Sequence, residues 1–486
     1  MPSDTHEPSP RYRLGFPLGS VVEIGLFLAA QARPALHEVA LAAERSLLVD
    51  HELCHLFTAC VADDNARHLV WHRGALSTQL LGVPLIIRSG AERSRGLHLL
   101  LVSRSAGRLP RVRSARPVGI RPNQSLVIFQ SQARRGFPYY VLMKKVVIHE
   151  AGSYDQLRLE EAPDPSPGPD EVVIDVRAIG INYADVIVRM GLYSSARELV
   201  GWPITPGFEV SGVVEQCGAR IEALEPGDEV VAVTSLDGYA TKLCTKEVYV
   251  FPKPVALSYA QAASLPAVFM TAWFALKELA HPRPGAKILV HSAAGGVGSS
   301  LVQLAKLMGC EVVGVVGASH KVEVAKAVGA DSVIDKSKQK LWREAAARAP
   351  EGYDVVCDAN GVATLRESYA HLRRAGKLVI YGFHTMLPKK GGKPNWPKLA
   401  LDWLRMPRFN PLDLTNESKS VLAFNLSYLF DRTDLLELFV SDLRTWIEEG
   451  KIQAPPVKEY PLEAVARAHA DIESGMTVGK LVLVPS

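Results

Sequence analysis

His291 to Gly298 reads His-Ser-Ala-Ala-Gly-Gly-Val-Gly. Ahead of it, Ile288-Leu289-Val290 has the apolar continuity of a buried parallel strand. Behind it, Leu301, Val302, Leu304, Ala305 and Met308 recur at helical spacing. Strand, glycine-rich turn and helix in that order form the setting of a dinucleotide site. Ala293, Gly295 and Gly298 fill the three small positions. Small residues there let the backbone turn tightly, approach a pyrophosphate and pack the helix on the strand. The helix N-terminus then offers unpaired N–H groups to phosphate. The plain alternative is an ordinary tight turn.

The following strand bears on the choice of cofactor. Cys310 to Val316 reads as the second parallel strand and runs into Gly317-Ala318-Ser319-His320-Lys321. An NAD site expects a carboxylate at this strand's end for the ribose 2′-hydroxyl, yet no acid occurs before Glu323. Ser319 and Lys321 suit a 2′-phosphate better, which favours NADPH. The alternative is that His320 and Lys321 merely begin a solvated helix.

At 486 residues the chain has room for two to four domains. No stretch of about 18 apolar residues is free of charge, so no spanning helix is expected. Six cysteines without paired spacing suggest reduced thiols and a cytoplasmic setting. Charge is unevenly spread. Residues 1–142 hold 17 Arg, no Lys and 10 acids, net +7, whereas 143–486 carry a net of −3. The first segment also has half of the 14 His and no sustained periodicity. A basic targeting or nucleic-acid arm is one reading. The preferred one is an over-extended start: residues 1–142 are expected to be disordered or not a genuine part of the protein, with the functional chain beginning near Met143. A mitochondrial presequence fits less well, because Asp4, Glu7, Glu23, Glu38 and Glu44 are out of place in an acid-poor transit peptide.

From Met143 the pattern is regular. Strands are expected at Lys145 to His149, Glu171 to Ile179, Val210 to Val214 and Glu229 to Val233, separated by Pro-Gly and Gly-Pro turns. They predict a partly closed all-β domain over 143–268. Strands at 287–291, 311–316, 332–334, 354–357 and 377–381 then alternate with helices at 258–279, 298–308, 319–328, 338–347 and 362–373. That alternation predicts an α/β fold with a doubly wound parallel sheet over 269–413. Residues 414–486 are expected to give an edge strand at Ser420 to Leu426, a helix at Asp434 to Glu449 and a last strand at Val478 to Val484. Between them and the sheet, Trp396, Leu399, Leu401, Trp403 and Met406 sit among Lys389, Lys390, Lys393, Lys398 and Arg405. A surface helix and loop over the cleft is the preferred reading, ahead of a substrate lid or a membrane-facing patch.

As a set, Gly180-Ile181-Asn182-Tyr183-Ala184-Asp185, Pro206-Gly207-Phe208-Glu209-Val210-Ser211-Gly212, Gly238-Tyr239-Ala240, Leu265-Pro266, Thr271-Ala272, the glycine-rich turn and Val478-Gly479-Lys480 resemble the medium-chain dehydrogenase/reductase superfamily. Within it, residues 143–486 resemble the zinc-free quinone oxidoreductase group that includes zeta-crystallin. The tail around Trp396 and Phe424-Asn425-Leu426-Ser427 is similar to the vesicle amine transport protein subgroup. The resemblance does not reach 1–142. It implies a GroES-like β domain, a Rossmann domain, a cleft between them and a C-terminal return to the first domain. It also implies a homodimer. The zinc branch of the superfamily carries Cys where Asn182 stands and His where Phe208 stands, and its four-cysteine lobe is missing here. Tetrahedral zinc needs at least three N, S or O ligands, so no metal is expected.

The same resemblance implies that Asn182, Thr271, Phe424 and Asn425 lie near the nicotinamide. Gly295, Gly296 and Val297 would line the pyrophosphate, Ser319 and Lys321 the 2′-phosphate, and Lys480 the phosphates or the nicotinamide side. Tyr183, Asp185 and Tyr193 are the candidates for polarising a substrate carbonyl or relaying a proton. Asp185 reads equally well as a buried capping or salt-bridge carboxylate, and Tyr193 as a packing aromatic. The expected reaction is NADPH-dependent reduction of a quinone or an α,β-unsaturated carbonyl. Two other classes stay open: a nucleotide-binding protein with little turnover and peripheral membrane contact, and a membrane- or RNA-associated protein led by residues 1–142. No nucleic-acid partner is expected.

Overall fold

The computed structural model describes residues 142–485. The readings of 1–141 lie outside the described residues. Strand β1 (Leu142–Val147) begins ahead of the expected Lys145 and pairs antiparallel with β2 (Arg158–Pro163). Five strands follow: β3 (Glu171–Ile181), β4 (Glu209–Cys217), β5 (Glu229–Val233), β6 (Lys242–Lys246) and β7 (Val250–Pro252). Two helices interrupt them after β3, α1 (Tyr183–Arg189) and α2 (Ser194–Leu199). Neither helix was expected, although Asn182 followed three residues later by Asp185 is the pattern of a helix start.

The helix expected over 258–279 is broken. Ser258 caps a single turn, α3 (Tyr259–Ala262). Pro266, which lacks an N–H and suits a first helical position, then opens α4 (Pro266–Trp273), continued by a π-helical turn to Ala280. Next come β8 (Lys287–His291), α5 (Gly296–Leu307), β9 (Glu311–Val316), α6 (Val322–Ala327), β10 (Ser332–Asp335), α7 (Leu341–Arg348), β11 (Tyr353–Asp358), α8 (Leu365–Ala370) and β12 (Leu372–Ile380). After α9 (Trp396–Arg405) and α10 (Pro411–Glu417), β13 (Ser420–Ala423) pairs parallel with β12. The six strands run in the order β10-β9-β8-β11-β12-β13 with every pairing parallel. This is the doubly wound Rossmann order, and ligands bind such sheets where the order reverses, outside the carboxyl ends of the strands.

Both faces of that sheet are covered. Ile288, Val290, Val312, Val316, Val355 and Val379 pack on one side, while Leu289, Val313, Val315, Val356 and Leu378 pack on the other. Alternate residues of each strand thus serve different cores, so the strands read as unbroken apolar runs. Helix α11 (Thr433–Glu448) adds Leu435, Leu436, Phe439 and Leu443 to the first core. The chain then returns through β14 (Val457–Pro461), α12 (Val465–Glu473) and β15 (Lys480–Val484). Strand β15 pairs antiparallel with the end of β3, Leu481 opposite Ile181 and Leu483 opposite Ile179. It begins at Lys480, not at Val478, because Gly479 sits at φ +62 and breaks the extended run. The GroES-like sheet is therefore completed by the last strand of the chain, in the order β14-β15-β3-β4-β5-β7 with β6 also paired to β3.

Candidate active site

The glycine-rich turn joins β8 to α5 at the switch point. Ser292 adopts a left-handed conformation at φ +57, and Gly295 donates its N–H to Ser292 O at 2.9 Å. A Cβ on Gly298 would stand 2.1 Å from Ser292 O, and one on Gly296 2.8 Å from Val268 Cγ1. Ala293 is buried beside Gly314 of β9, where a Cβ would come within 2.9 Å of the alanine methyl. The small residues thus let turn, strand and helix close up. Gly295, Gly296 and Val297 stay partly accessible at the start of α5. The first N–H groups of a helix have no partner within it, so this end can cradle a pyrophosphate.

The C-terminal return threads past this turn. Gly479 pairs with Gly295 in a short parallel bridge and donates to Ala294 O at 3.1 Å. Lys480 then points into the β domain. Its Nζ donates to Glu209 Oε1 at 2.6 Å and to Asn182 Oδ1 at 2.5 Å. Asn182 Nδ2 donates to the same Glu209 oxygen at 2.8 Å, and the Ala267 N–H donates to Glu209 Oε2 at 2.7 Å. Lys480 and Glu209 are both buried. A buried charge pair is tolerable only when hydrogen bonds satisfy its remaining atoms, as they do here. Gly180 makes room, since a Cβ there would lie 2.4 Å from Glu209 Oε1. Glu209 was not singled out as a site residue; the visible signal was a carboxylate in an apolar run, Phe208-Glu209-Val210. Thr271 lies one turn along α4 and donates its hydroxyl back to Ala267 O at 2.6 Å.

Asp185 is fully buried beneath this cluster. Its carboxylate accepts the N–H of Asn182 at 2.7 Å and that of Gly207 at 2.9 Å. Burial pushes its pKa from 3.8 up to about 7, against the two backbone donors and Lys480. Its geometry is that of a helix-start carboxylate.

Tyr193 is different. Its hydroxyl is half-buried and lies 3.0 Å from Asn425 Oδ1 and 2.8 Å from Ser427 Oγ, across from the β domain. Asn425 is oriented by the Ser427 N–H at 3.1 Å. The Tyr193 ring meets Phe208 edge-on at 5.9 Å. Burial raises its pKa, with Ser427 opposing, so the phenol stays protonated. Tyr183 meets His384 edge-on at 5.9 Å, and burial raises its pKa too. Phe424 packs between Phe274 and Tyr381. Asn360, after β11, is buried with neither amide atom hydrogen-bonded. An orphaned amide at a strand's carboxyl end is what a cofactor hydroxyl or carboxamide would satisfy.

The residues expected at the 2′-phosphate lie at the far end of the crevice. Ser319 Oγ donates to Asp335 Oδ2 at 2.6 Å, and Lys321 Nζ donates to Gly475 O at 2.7 Å. A carboxylate does therefore stand near Gly317, supplied by the neighbouring strand β10. On helix α9 Lys398 pairs with the buried Asp402, while Trp396, Trp403 and Leu404 are 65%, 64% and 68% exposed.

The family description "Zinc-binding dehydrogenase" matches residues 296–434, and "Alcohol dehydrogenase GroES-like domain" matches 168–269. The human synaptic vesicle membrane protein VAT-1 homolog is 32% identical over 71% of this chain and 87% of its own. Mouse quinone oxidoreductase is 28% identical over 71% of this chain and 98% of its own. The crystal structure of Escherichia coli quinone oxidoreductase complexed with NADPH superposes with a TM-score of 0.62 at 27% identity, covering 70% of this chain and all of that one.

Despite the first family's description, the residues do not fit a zinc ion. The corner where Asn182 and Glu209 meet already holds a cation, the Lys480 ammonium, and these three side chains are hydrogen-bonded to one another. Among the described residues no three His, Cys, Asp or Glu side chains cluster as metal ligands.

Proposed function

The chain belongs to the medium-chain dehydrogenase/reductase superfamily, and on that premise we propose that it is a zinc-independent, NADPH-dependent oxidoreductase acting on quinones or α,β-unsaturated carbonyls. The observation that carries this reading is the crevice itself. A glycine turn and helix start suited to pyrophosphate lie at one side, and a protonated tyrosine held by Asn425 and Ser427 lies at the other.

NADPH, when bound, supplies a hydride to a carbon that is already electrophilic. The remaining work falls to the protein. Gly295, Gly296 and Val297 hold the pyrophosphate, and Ala293 and Gly298 keep the turn closed. Asn182, Glu209 and Lys480 brace one another within the β domain beside the nicotinamide end, with Thr271 and Phe424 walling it. Asn360 offers its free amide to the cofactor. The Tyr193 hydroxyl hydrogen-bonds the acceptor oxygen and gives it a proton as charge develops there. Ser427 Oγ stands close enough to replace that proton. Tyr183 lines the cleft, and Asp185 positions Asn182 from below. For a quinone the balance is one hydride from NADPH and one proton, giving hydroquinone and NADP+.

The test is NADPH oxidation with a panel of quinones and enones, with and without a chelator. Turnover that the chelator leaves unchanged is expected. Absence of oxidation above the protein-free rate with every acceptor overturns the reading, and loss of activity to the chelator overturns its zinc independence.

A second reading has its own observation. Helix α9 buries Asp402 while it exposes Trp396, Leu401, Trp403 and Leu404, unlike a helix whose apolar side chains all pack on a protein. Lys389, Lys390, Lys393, Arg405 and Arg408 lie in or close to that helix in the chain. The reading is peripheral contact with an anionic membrane through this helix, compatible with a cytoplasmic enzyme. Among the described residues no helix is long and apolar enough to cross a membrane. Among the described residues no strand pairs with the outer edge of β13, which supports the homodimer, since open edges invite pairing.

A further inference from the structure

Gly191 and Gly201 bracket the segment that carries Tyr193 and helix α2, and both sit in the left-handed region, at φ +70 and +74. Glycine enters and leaves that region at little steric cost, so the backbone can turn at either end. A Cβ on Gly201 would meet nothing within 4 Å. Residues 193–200 are loosely held between them. Among their described side chains only Ser195 and Ala196 are buried. Ala196 packs in a small cluster with Val188, Ile204 and Leu236. The backbone bonds of the segment stay within it: Arg197 N–H reaches Tyr193 O at 3.4 Å, and the N–H groups of Val200 and Gly201 reach Ala196 O at 3.2 and 3.1 Å. Few buried apolar contacts and self-contained backbone bonds mark a unit that opens by itself. The Ser195 hydroxyl is buried without a partner, and a bond left unmade disfavours the position that buries it.

The opposite bank of the cleft is anchored. Phe424 follows β13 and packs on Phe274 and Tyr381. Asn425 caps the short turn Leu426–Leu429. Beyond it, the Phe430 ring lies 4.3 Å from that of Tyr249, whose hydroxyl donates to Phe430 O at 3.3 Å. Two contacts span from this bank to the glycine-bracketed segment. One is the Tyr193 hydroxyl on Asn425 and Ser427. The other lies at the surface, where Tyr428 donates its hydroxyl to Glu198 Oε2 at 3.0 Å.

The hydrogen count at Tyr193 leaves the closed position unable to react. A phenol has one hydrogen to give, and Tyr193 gives it to Asn425 Oδ1 at 3.0 Å. The same oxygen accepts the Ser427 N–H, so the oxygen of that amide, not its nitrogen, faces the phenol. Tyr193 can offer its hydrogen to an acceptor only by leaving Asn425. A shift of the segment that carries it achieves this.

We propose that residues 193–200 form a lid hinged on Gly191 and Gly201, and that Glu198 and Tyr428 are positioning residues that hold it shut and so set where the Tyr193 phenol stands. The lid's part in turnover rests on the reading of Tyr193 as the proton donor, whereas its motion does not.

The experiment is amide hydrogen exchange of the full chain, read by mass spectrometry, for wild type, Tyr428→Phe, Glu198→Ala, Glu198→Gln and Gly201→Ala. Melting temperature is recorded for each. In the wild type, residues 193–200 are expected to exchange faster than helix α1. Tyr428→Phe and Glu198→Ala should each speed their exchange by about threefold to tenfold, the worth of one hydrogen bond, with α1 and the melting temperature unchanged. Glu198→Gln keeps an acceptor oxygen and should restore most of the protection. Gly201→Ala strains only the hinge torsion, so its effect should also be confined to 193–200. Exchange of 193–200 in step with α1, or unmoved by Tyr428→Phe and Glu198→Ala, overturns the lid. Glu198→Gln behaving as Glu198→Ala overturns the latch. Tetramethyl-benzoquinone together with NADP+, a pair that cannot react, should slow exchange of the segment in the wild type. If both bind by titration and the segment is unaffected, the lid has no part in turnover and that half of the proposal falls. If the ligand-free proteins behave as expected but neither ligand binds, the lid stands and the reading of the crevice fails.

Discussion

Lys480 Nζ lies 2.6 Å from Glu209 Oε1, and both side chains are buried although 271 positions separate them in the chain. The last strand therefore delivers a cation into the first domain's core, where Asn182 and the Ala267 N–H complete its setting. Removing one partner of a buried pair leaves the other uncompensated, at a cost of about 3–5 kcal/mol. Glu209→Gln and Lys480→Met should each lower the melting temperature by several degrees. The double variant should recover part of the loss, because no lone charge remains. Strictly additive losses in denaturant unfolding would show that the two side chains are not coupled.

Asp185 gives the fold a pH dependence of defined sign. Its folded pKa is raised from 3.8 to about 7, so the folded state holds a proton that the unfolded state releases. The contribution to stability is complete below the unfolded value and is lost as pH rises through about 7. The slope is at most about 1.4 kcal/mol per pH unit. Asp185→Asn lacks this titration, so its penalty relative to wild type should shrink between acid and neutral pH. Urea unfolding of both proteins across that range is the check, and a penalty that grows with pH contradicts the assignment.

The strands of the parallel sheet were legible because burial on both faces writes unbroken apolar runs, and the glycine turn because its spacing is local. What pairs with what was not. Glu209 stands in the sequence only as one residue of the Pro206 to Gly212 motif, since nothing near it in the chain announces Lys480 as its partner. Asp335 escaped notice beside Ser319 for the same reason. Strand order, not chain order, sets it beside Val316. Helix α1 was missed because its seven residues offer too few turns for a period to show. The helix expected at 258–279 is broken because Pro266 has no N–H to continue the turn from Ala262 and opens a new helix instead.

The glycine turn allows a paired test. An added methyl at Gly298 would meet Ser292 O at 2.1 Å, whereas one at Gly295 would meet the same atom at 3.3 Å. Gly298→Ala should cost about 1–3 kcal/mol through forced displacement of the turn and abolish measurable dinucleotide binding. Gly295→Ala should be the milder of the two in stability. Calorimetry and NADPH titration of both variants decide it, and equal stability would mean that the turn relaxes freely around residue 298.

Helix α9 makes the membrane reading testable apart from catalysis. Trp396, Trp403 and Leu404 are mostly exposed, and each large side chain fully buried contributes about 1.5–3 kcal/mol. Replacing both tryptophans by alanine should weaken binding to vesicles containing an anionic lipid by at least tenfold (about 1.4 kcal/mol). Quinone turnover without vesicles should be unchanged. Raising the salt should weaken wild-type binding, because part of the attraction is electrostatic. Failure of the wild type to float with such vesicles rules this contact out, and concentration-dependent self-association lost in the same variant would assign the face to a second copy of the chain.

Tyr193 is the residue on which the chemistry is staked. Its hydroxyl reaches Asn425 Oδ1 and Ser427 Oγ, so its position is held from the opposite domain. A phenol whose pKa is raised is a protonated donor throughout the neutral range. It can stabilise a developing enolate or phenolate without having to be recharged first. Tyr193→Phe removes the donor and keeps the ring's contact with Phe208. General acid catalysis typically contributes about 10²–10⁴-fold; where solvent can stand in for the donor, the loss should fall to the lower end of that range. The variant should therefore lose kcat by about a hundredfold while its NADPH affinity stays the same, and its deficit should be larger for enones than for quinones, whose product oxygens are less basic. Asn425→Ala should show a smaller loss of kcat, because Ser427 still orients the phenol. If Tyr193→Phe turns over at the wild-type rate with every acceptor, the proton comes from solvent and the tyrosine only shapes the cleft.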